Sequence, residues 1–141
     1  MDVLKAINIS GSGLTAQRFR MDTIAQNIAN ADTTRTENGE PYRRRVPVFS
    51  SKNGGFLSHL KNSTESGGVR VTGVVEDQSA FKQVYDPNHP DADENGYVNY
   101  PNVDLTQEII NMMSASRSYE ANVTALNTTK SMALKALEIG R

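Results

Sequence analysis

Apolar residues in the last third of the chain recur at alternating spacings of four and three: Leu105, Ile109, Met112, Ser116, Tyr119, Val123, Leu126, Lys130, Ala133 and Leu137. Eight of these ten are apolar. A seam held over about five heptads predicts a long amphipathic helix that packs along another helix. Asp104 is placed to cap its start, Gln107 to complete a capping box, and Gly140 to end it. About 35 residues at ~1.5 Å each make a rod of roughly 50 Å.

The N-terminal flank repeats the pattern less cleanly, through Val3, Ile7, Leu14, Met21, Ile24 and Ile28, with Ser10 and Gln17 as polar interruptions. The Ser-Gly-Ser-Gly run at 10–13 predicts a break, since each interior glycine costs ~1 kcal/mol relative to alanine. A firmer helix is expected over 14–31. Pairing of the two flanks as an intramolecular coiled coil would bury Ile7, Leu14, Met21, Ile24 and Ile28 against Leu105, Ile109, Met112, Tyr119, Val123, Leu126 and Leu137.

Between the flanks the pattern changes. All five prolines, seven of nine aromatics and seven of ten glycines lie within 39–101. Short β-branched runs predict strands at 42–49, where Pro47 suits an edge, and at 69–76 and 80–85, which are expected to pair as a hairpin. The glycine-rich stretch 50–68 reads as a loop with an apolar anchor at Phe56, Leu57 and Leu60. The expected fold class is therefore α+β: long terminal helices paired as a coiled-coil domain, with a small β-rich middle module. The boundaries are 1–34 for the N-terminal arm, 35–101 for the β-rich module and 102–141 for the C-terminal helix.

Charge changes the picture. From 109 to 129 the only charged residues are Arg117 and Glu120, and 6–17 and 23–31 carry none. A solvated surface normally carries ~25–35% charged residues. Simple pairing of the flanks does not explain such neutral outer faces. A second layer of contacts does, and Ser114, Ala121, Asn122, Ala125 and Thr128 are the expected subunit-interface positions.

Composition narrows function further. The chain has 141 residues, 15 Lys plus Arg against 16 Asp plus Glu, and no cysteine. Near-neutrality disfavours a nucleic-acid or anionic-membrane binder, and no run approaches the ~20 apolar residues of a membrane span. The start lacks the pattern of a cleaved secretory signal. No disulfide framework or cysteine nucleophile is available. His59 and His89 lack metal-ligand spacing, Gly11-Ser12-Gly13 lacks a phosphate loop's context, and no nucleophile–base pair is readable, so neither an enzyme, a cofactor nor a metal is expected. Asp91, Asp93, Asn95 and Gly96 match the first positions of a calcium loop, but Asn102 stands where the bidentate glutamate belongs; an Asx- and proline-rich turn is expected instead. Arg43-Arg44-Arg45 on a strand would send Arg44 to the face opposite its neighbours, as a solvated edge or a salt bridge to another molecule. The rival to an assembly subunit is a calcium-dependent adaptor with a helical stalk.

Asn27-Ile28-Ala29-Asn30-Ala31-Asp32-Thr33-Thr34 resembles the N-terminal motif of bacterial flagellar rod and hook proteins, with Gln26 and Asp32 where that family usually has Asn. Residues 41–44 (Pro-Tyr-Arg-Arg), 85–98 and 114–123 narrow the resemblance to proximal-rod proteins. It implies family roles for Asn27, Asn30 and Thr33, and a structural subunit of a helical tube that transmits torque and encloses an export channel. It also implies a basal-body, periplasmic location, and export by the flagellar type III apparatus without a cleaved signal. The implied partners are other copies of the chain, neighbouring rod proteins of the FlgB, FlgF and FlgG types, and the rod-base adaptor FliE. For the free monomer, both helical ends are expected to be mobile and to order on assembly.

Overall fold

A computed structural model describes residues 3–52 and 67–140. The element order is α1 (Val3–Ala29), β1 (Arg45–Ser51), β2 (Val69–Glu76), β3 (Lys82–Tyr85), β4 (Tyr97–Tyr100) and α2 (Leu105–Ile139). The fold class is α+β, with the two helices packed against each other and two small antiparallel sheets between them in sequence.

The helices run antiparallel in one register. Asn27 meets Glu108 at 3.0 Å, and fourteen residues away on each helix Gly13 meets Asn122. Asp104 caps α2 as its sequence position implies: its Oδ1 accepts from the Thr106 and Gln107 amides at 2.9 and 3.3 Å. Gln107 does not close a capping box and instead donates along the helix to Asn111 at 3.5 Å. The Gly140 amide closes the last turn on Ala136 O at 3.2 Å.

The expected break at 10–13 is absent, and α1 is continuous from Val3 to Ala29. Packing explains why. A Cβ added at Gly13 would lie 3.1 Å from Asn122 Nδ2, so the glycine lets α2 come close. The local penalty of glycine is offset by tertiary contact, which routinely overrides propensity. Ser12 adds a tie: its hydroxyl donates to Ile9 O at 2.7 Å and accepts from the Val69 amide at 3.0 Å. Gly68 makes this approach possible, with φ +108° and a Cβ position only 2.5 Å from Ser12 Oγ.

Strand pairing also departs from expectation. The stretch 69–76 forms β2 as read, but it pairs with β1, which is displaced toward 45–51. Pro47 sits opposite Val74 in this two-stranded sheet, where its missing N–H costs no ladder bond on the open side. A bulge follows Val48, and the extra residue Thr72 donates its hydroxyl to Val48 O at 3.0 Å. β3 pairs with β4, not with β2. The reason is the turn after β2. Asp77 Oδ1 accepts from the Ser79 amide at 2.9 Å, and Asn102 Nδ2 donates to Asp77 O at 2.9 Å, turning the chain away before a hairpin can form. β3 is instead folded onto β4 by Asp93, whose Oδ1 accepts from the Asn95 and Tyr97 amides at 2.9 and 2.8 Å. The expected anchor at Phe56, Leu57 and Leu60, and His59, lie outside the described residues.

Candidate functional site

Where the helical pair meets the β strands, a polar clasp closes the structure. Glu108 and Asn27 are 0% and 1% exposed, among the most deeply buried side chains described. Asn27 Nδ2 donates to Glu108 Oε2 at 3.0 Å and to Arg45 O at 2.9 Å. Its Oδ1 accepts from the Tyr42 hydroxyl and the Arg45 amide, both at 2.9 Å. All four hydrogen-bonding positions of the amide are used, which is what a buried asparagine requires. Arg44 donates from Nε and Nη2 to Glu108 Oε1, each at 2.8 Å, and Asn111 donates to the same oxygen at 3.2 Å. Asn102 Oδ1 accepts from the Arg44 amide at 2.8 Å. Asn27 from α1, Arg44 from the approach to β1 and Asn111 from α2 thus converge on one carboxylate.

Electrostatics follow from this packing. Burial raises the Tyr42 phenol above its ordinary value, outweighing the opposite pull of Arg45. The Ser79 backbone N–H and hydroxyl hold the Asp77 carboxyl below its ordinary value, and Arg44 at 3.6 Å acts in the same direction.

The family-motif residues sit beside the clasp. Asn30 Nδ2 donates to Gln26 O at 2.8 Å, and its Oδ1 accepts from the Thr33 hydroxyl at 3.2 Å. Thr33 O then accepts from the Tyr42 amide at 3.1 Å. Together these bonds stop α1 and deliver the chain to β1. Thr34 and Arg35 hold Asp91 at 2.8 and 3.6 Å, so the carboxylate that would open a calcium loop is engaged by the α1 exit. Among the described residues no group of three or more His, Cys, Asp or Glu converges as a metal-ligand set.

The expected seam is only partly what the helices bury. Ile24 is buried, and Ile7, Leu14, Met21, Ile28, Met112, Tyr119, Val123 and Leu126 are partly covered. Leu105, Ile109 and Leu137, however, are 49%, 48% and 70% exposed. The contact line of α2 runs instead through Glu108, Ala115 and Asn122, spaced by seven. Small and hydrogen-bonding side chains let the backbones approach, which turns the predicted apolar stripe partly away from α1. Asn122 is therefore an inner-face residue and not an outward one, whereas Ser114, Ala121, Ala125 and Thr128 are exposed. The rotation leaves Leu105, Ile109, Ile110 and Met113 as an uncovered apolar stripe. Gln17 lies on the inner side of α1 with its Oε1 buried and unpartnered.

Sequence reasoning missed Glu108, Tyr42, Arg44 and Asn102. A charged residue on a helix reads as solvated, and only the approach of α1 from 81 residues away makes Glu108 a buried acceptor. The arginine triplet carried a usable signal. Arg44 does diverge from its neighbours, but toward this chain's own Glu108; Arg43 lies 4.2 Å over the Phe81 ring and Arg45 pairs with Glu76 at 3.6 Å.

Two open grooves flank the clasp. One of about 460 Å³ lies between Phe19, Thr23 and Gln26 of α1 and Val74 of β2. The other, about 780 Å³, lies between the exit of α1, the β3–β4 sheet and the start of α2. No described helix is long and apolar enough to cross a membrane.

A helical hairpin locked at one end by a buried polar clasp, with its outer stripe uncovered, defines a subunit built for assembly. Comparison with known proteins gives the particular kind. Residues 7–35 match the family model of flagella basal body rod proteins, and 94–139 match that of the flagellar basal body rod FlgEFG protein C-terminal region. The chain is 51% identical to the flagellar basal-body rod protein FlgC of Bacillus subtilis over the whole of both chains. It is 46% identical to FlgC of Escherichia coli O157:H7, again over the whole of both. With FlgC of Borreliella burgdorferi it shares 44% identity over 99% of this chain and 98% of the other. The chain belongs to the FlgC-type flagellar basal-body rod proteins, and its role is that of a structural rod subunit.

Proposed function

We propose that this subunit works as a stiff lever in a helical tube, passing torque from its β module into its helical pair and from there to its neighbours. The observation that carries this reading is the uncovered apolar stripe of Leu105, Ile109, Ile110 and Met113 on a helix otherwise poor in charge. Contacts between different faces of successive copies do not close on themselves, so they build a filament. Ser114, Ala121, Ala125 and Thr128 lie along the exposed faces of α2 and are the proposed small-residue contacts between subunits. Residues 1–34 and 102–141 form the inner helical domain, and 35–101 the outer module. The tube would stand in the periplasmic space, enclose the export channel, and receive this chain through the type III apparatus without cleavage of a signal. Its neighbours would be further copies, rod proteins of the FlgB, FlgF and FlgG types, and FliE. No bond is made or broken in this role, so no catalytic group is required.

The test is Leu126→Asp in a motile strain lacking the wild-type copy. Leu126 is partly covered on the helical pair, and a charge there should abolish swimming and basal-body assembly while the β module keeps its fold. Swimming at the wild-type rate would overturn the reading.

A further inference from the structure

The β1–β2 ribbon lies along α1 and is tied to it at both ends by the same device: a strand amide that points away from its partner strand donates to an α1 side chain. At the near end the Arg45 amide donates to Asn27 Oδ1 at 2.9 Å, and at the far end the Val69 amide donates to Ser12 Oγ at 3.0 Å. Ser12 and Asn27 are 15 residues apart on α1, about 22 Å at ~1.5 Å per residue. From Arg45 to Ser51, the partner of Val69, the strand covers about 20 Å at ~3.3 Å per residue. Helix and ribbon are thus matched in length between the two ties.

The ties differ in everything else. Asn27 is 1% exposed and holds Arg45 O as well as its amide, beside the Arg44–Glu108 pair. The far tie is a hydroxyl contact within reach of water, and it depends on Gly68. That glycine has φ +108°, and a Cβ on it would lie 2.5 Å from Ser12 Oγ. Between the ties, Phe19, Thr23 and Gln26 stand across the open groove of about 460 Å³ from Val74, so the middle is not packed shut. Halfway along the ribbon comes the bulge between Val48 and Phe49, with Gly73 opposite Val48 and nothing within 4 Å of where its Cβ would stand. A bulge beside a glycine is a place where a ribbon bends. Beyond it the strands stay paired, through Phe49–Val71, Ser50–Arg70 and Ser51–Val69, and the Lys52 amide donates to Gly68 O at 2.9 Å. A hydrogen bond exposed to water is readily exchanged for one to solvent, and openings begin where contacts are few and exposed.

We infer that β1–β2 is a hinged strap, fixed to α1 at the clasp and buckled at Ser12, whose outer half swings off the helix as a paired unit when the buckle opens. The buckle consists of Ser12 Oγ, the Val69 amide and the left-handed Gly68 that lets them meet. The hinge is the bulge with Gly73. Opening leaves Asn27 and Glu108 engaged, so the outer half of the ribbon takes a new position without altering the angle set at the clasp.

Two measurements on the monomer test this. Hydrogen exchange compares two amides at the same end of the ribbon, Val69 in the buckle and Lys52 in the ladder. After correction for intrinsic rates, Val69 is expected to exchange about tenfold faster or more, because the swing breaks its bond and keeps that of Lys52. Equal protection would mean that the end frays or stays shut, and overturns the inference. The second measurement is the distance between nitroxide labels, which attach only to introduced cysteines because the chain has none. Arg18→Cys is paired with Lys52→Cys in the outer half, or with Val75→Cys in the inner half, where Val75 is 57% exposed. Gly68→Ala, which drives a methyl into Ser12, should add a longer 18–52 distance and leave the 18–75 distance unchanged. An unchanged 18–52 distance overturns the buckle, and a shift of both overturns the hinge. Should Gly68→Ala lose its helical circular dichroism, Ser12→Ala carries the same measurement with the same outcomes, since it removes the acceptor without adding an atom.

Discussion

The two ends of the helical pair solve the same problem in opposite ways. At the β-module end, the buried surface is polar and fully partnered: Asn27, Glu108, Tyr42 and Arg44 satisfy one another within the chain. At the far end, α2 outruns α1 and its leucines and isoleucine stand in water, Ile139 at 86% exposure. One end specifies a geometry, the other leaves apolar surface to be covered. The difference teaches that the polar network that fixes the monomer's geometry is concentrated at one end of the helical pair. For a rod subunit this is useful, because the clasp sets the angle between β module and helices within the chain itself. Buried polar networks are high-stakes for the same reason: satisfied, they define one arrangement; broken, they are costly.

The comparison is most sharply broken by Arg44→Ala. It leaves Glu108 buried without its cation, and loss of one partner of a buried pair costs about 3–5 kcal/mol. Chemical denaturation should show that loss at the clasp, whereas Leu137→Asp, at the open end, should leave the midpoint within about 0.5 kcal/mol. Equal effects of the two substitutions would show that the ends are not distinct.

Hydrogen exchange on the monomer should give the next largest contrast. Amides of α2 near Glu108 and Ala115 are expected to exchange at least a hundredfold more slowly than those beyond residue 130, and limited proteolysis should trim that end first. Uniform protection along α2 would contradict the asymmetry.

The pH dependence is smaller and has a definite sign. Asp77 has a folded pKa below its ordinary 3.8, so its contribution is present above that value and is lost as pH falls through the folded pKa. Tyr42 has a folded pKa above its ordinary 10.0, so its contribution is present below 10.0 and is lost as pH rises through the folded value. Denaturation midpoints should therefore fall at both extremes. Asp77→Asn should flatten the acid limb, and Tyr42→Phe the alkaline one.

The smallest effect expected is a gain. Gln17→Leu removes a buried, unpartnered carbonyl oxygen from the inner side of α1 and should stabilise the monomer by about 1 kcal/mol, read as a higher melting temperature. A loss of stability would mean that this oxygen has a partner.

How the fold reads from the sequence divides along the same physical line. Periodicity alone located α2 and its Asp104 cap, placed β2 at 69–76 and put a turn-rich module between two helices, because those features depend on neighbours a few residues away. The charge-poor stretches are likewise legible without any coordinates. What tertiary structure decided was everything carried by long-range approach. Gly13, a breaker by local rules, became the point of closest contact with Asn122; Glu108, a surface charge by those rules, became the buried acceptor for Asn27 and Arg44. The turn held by Asn102 chose the strand partners, and the close approach of α1 and α2 rotated the seam off Leu105 and Ile109. Propensity and pattern act over a turn or two of chain, whereas the free energy of a buried polar group depends on which partners the rest of the molecule brings within reach.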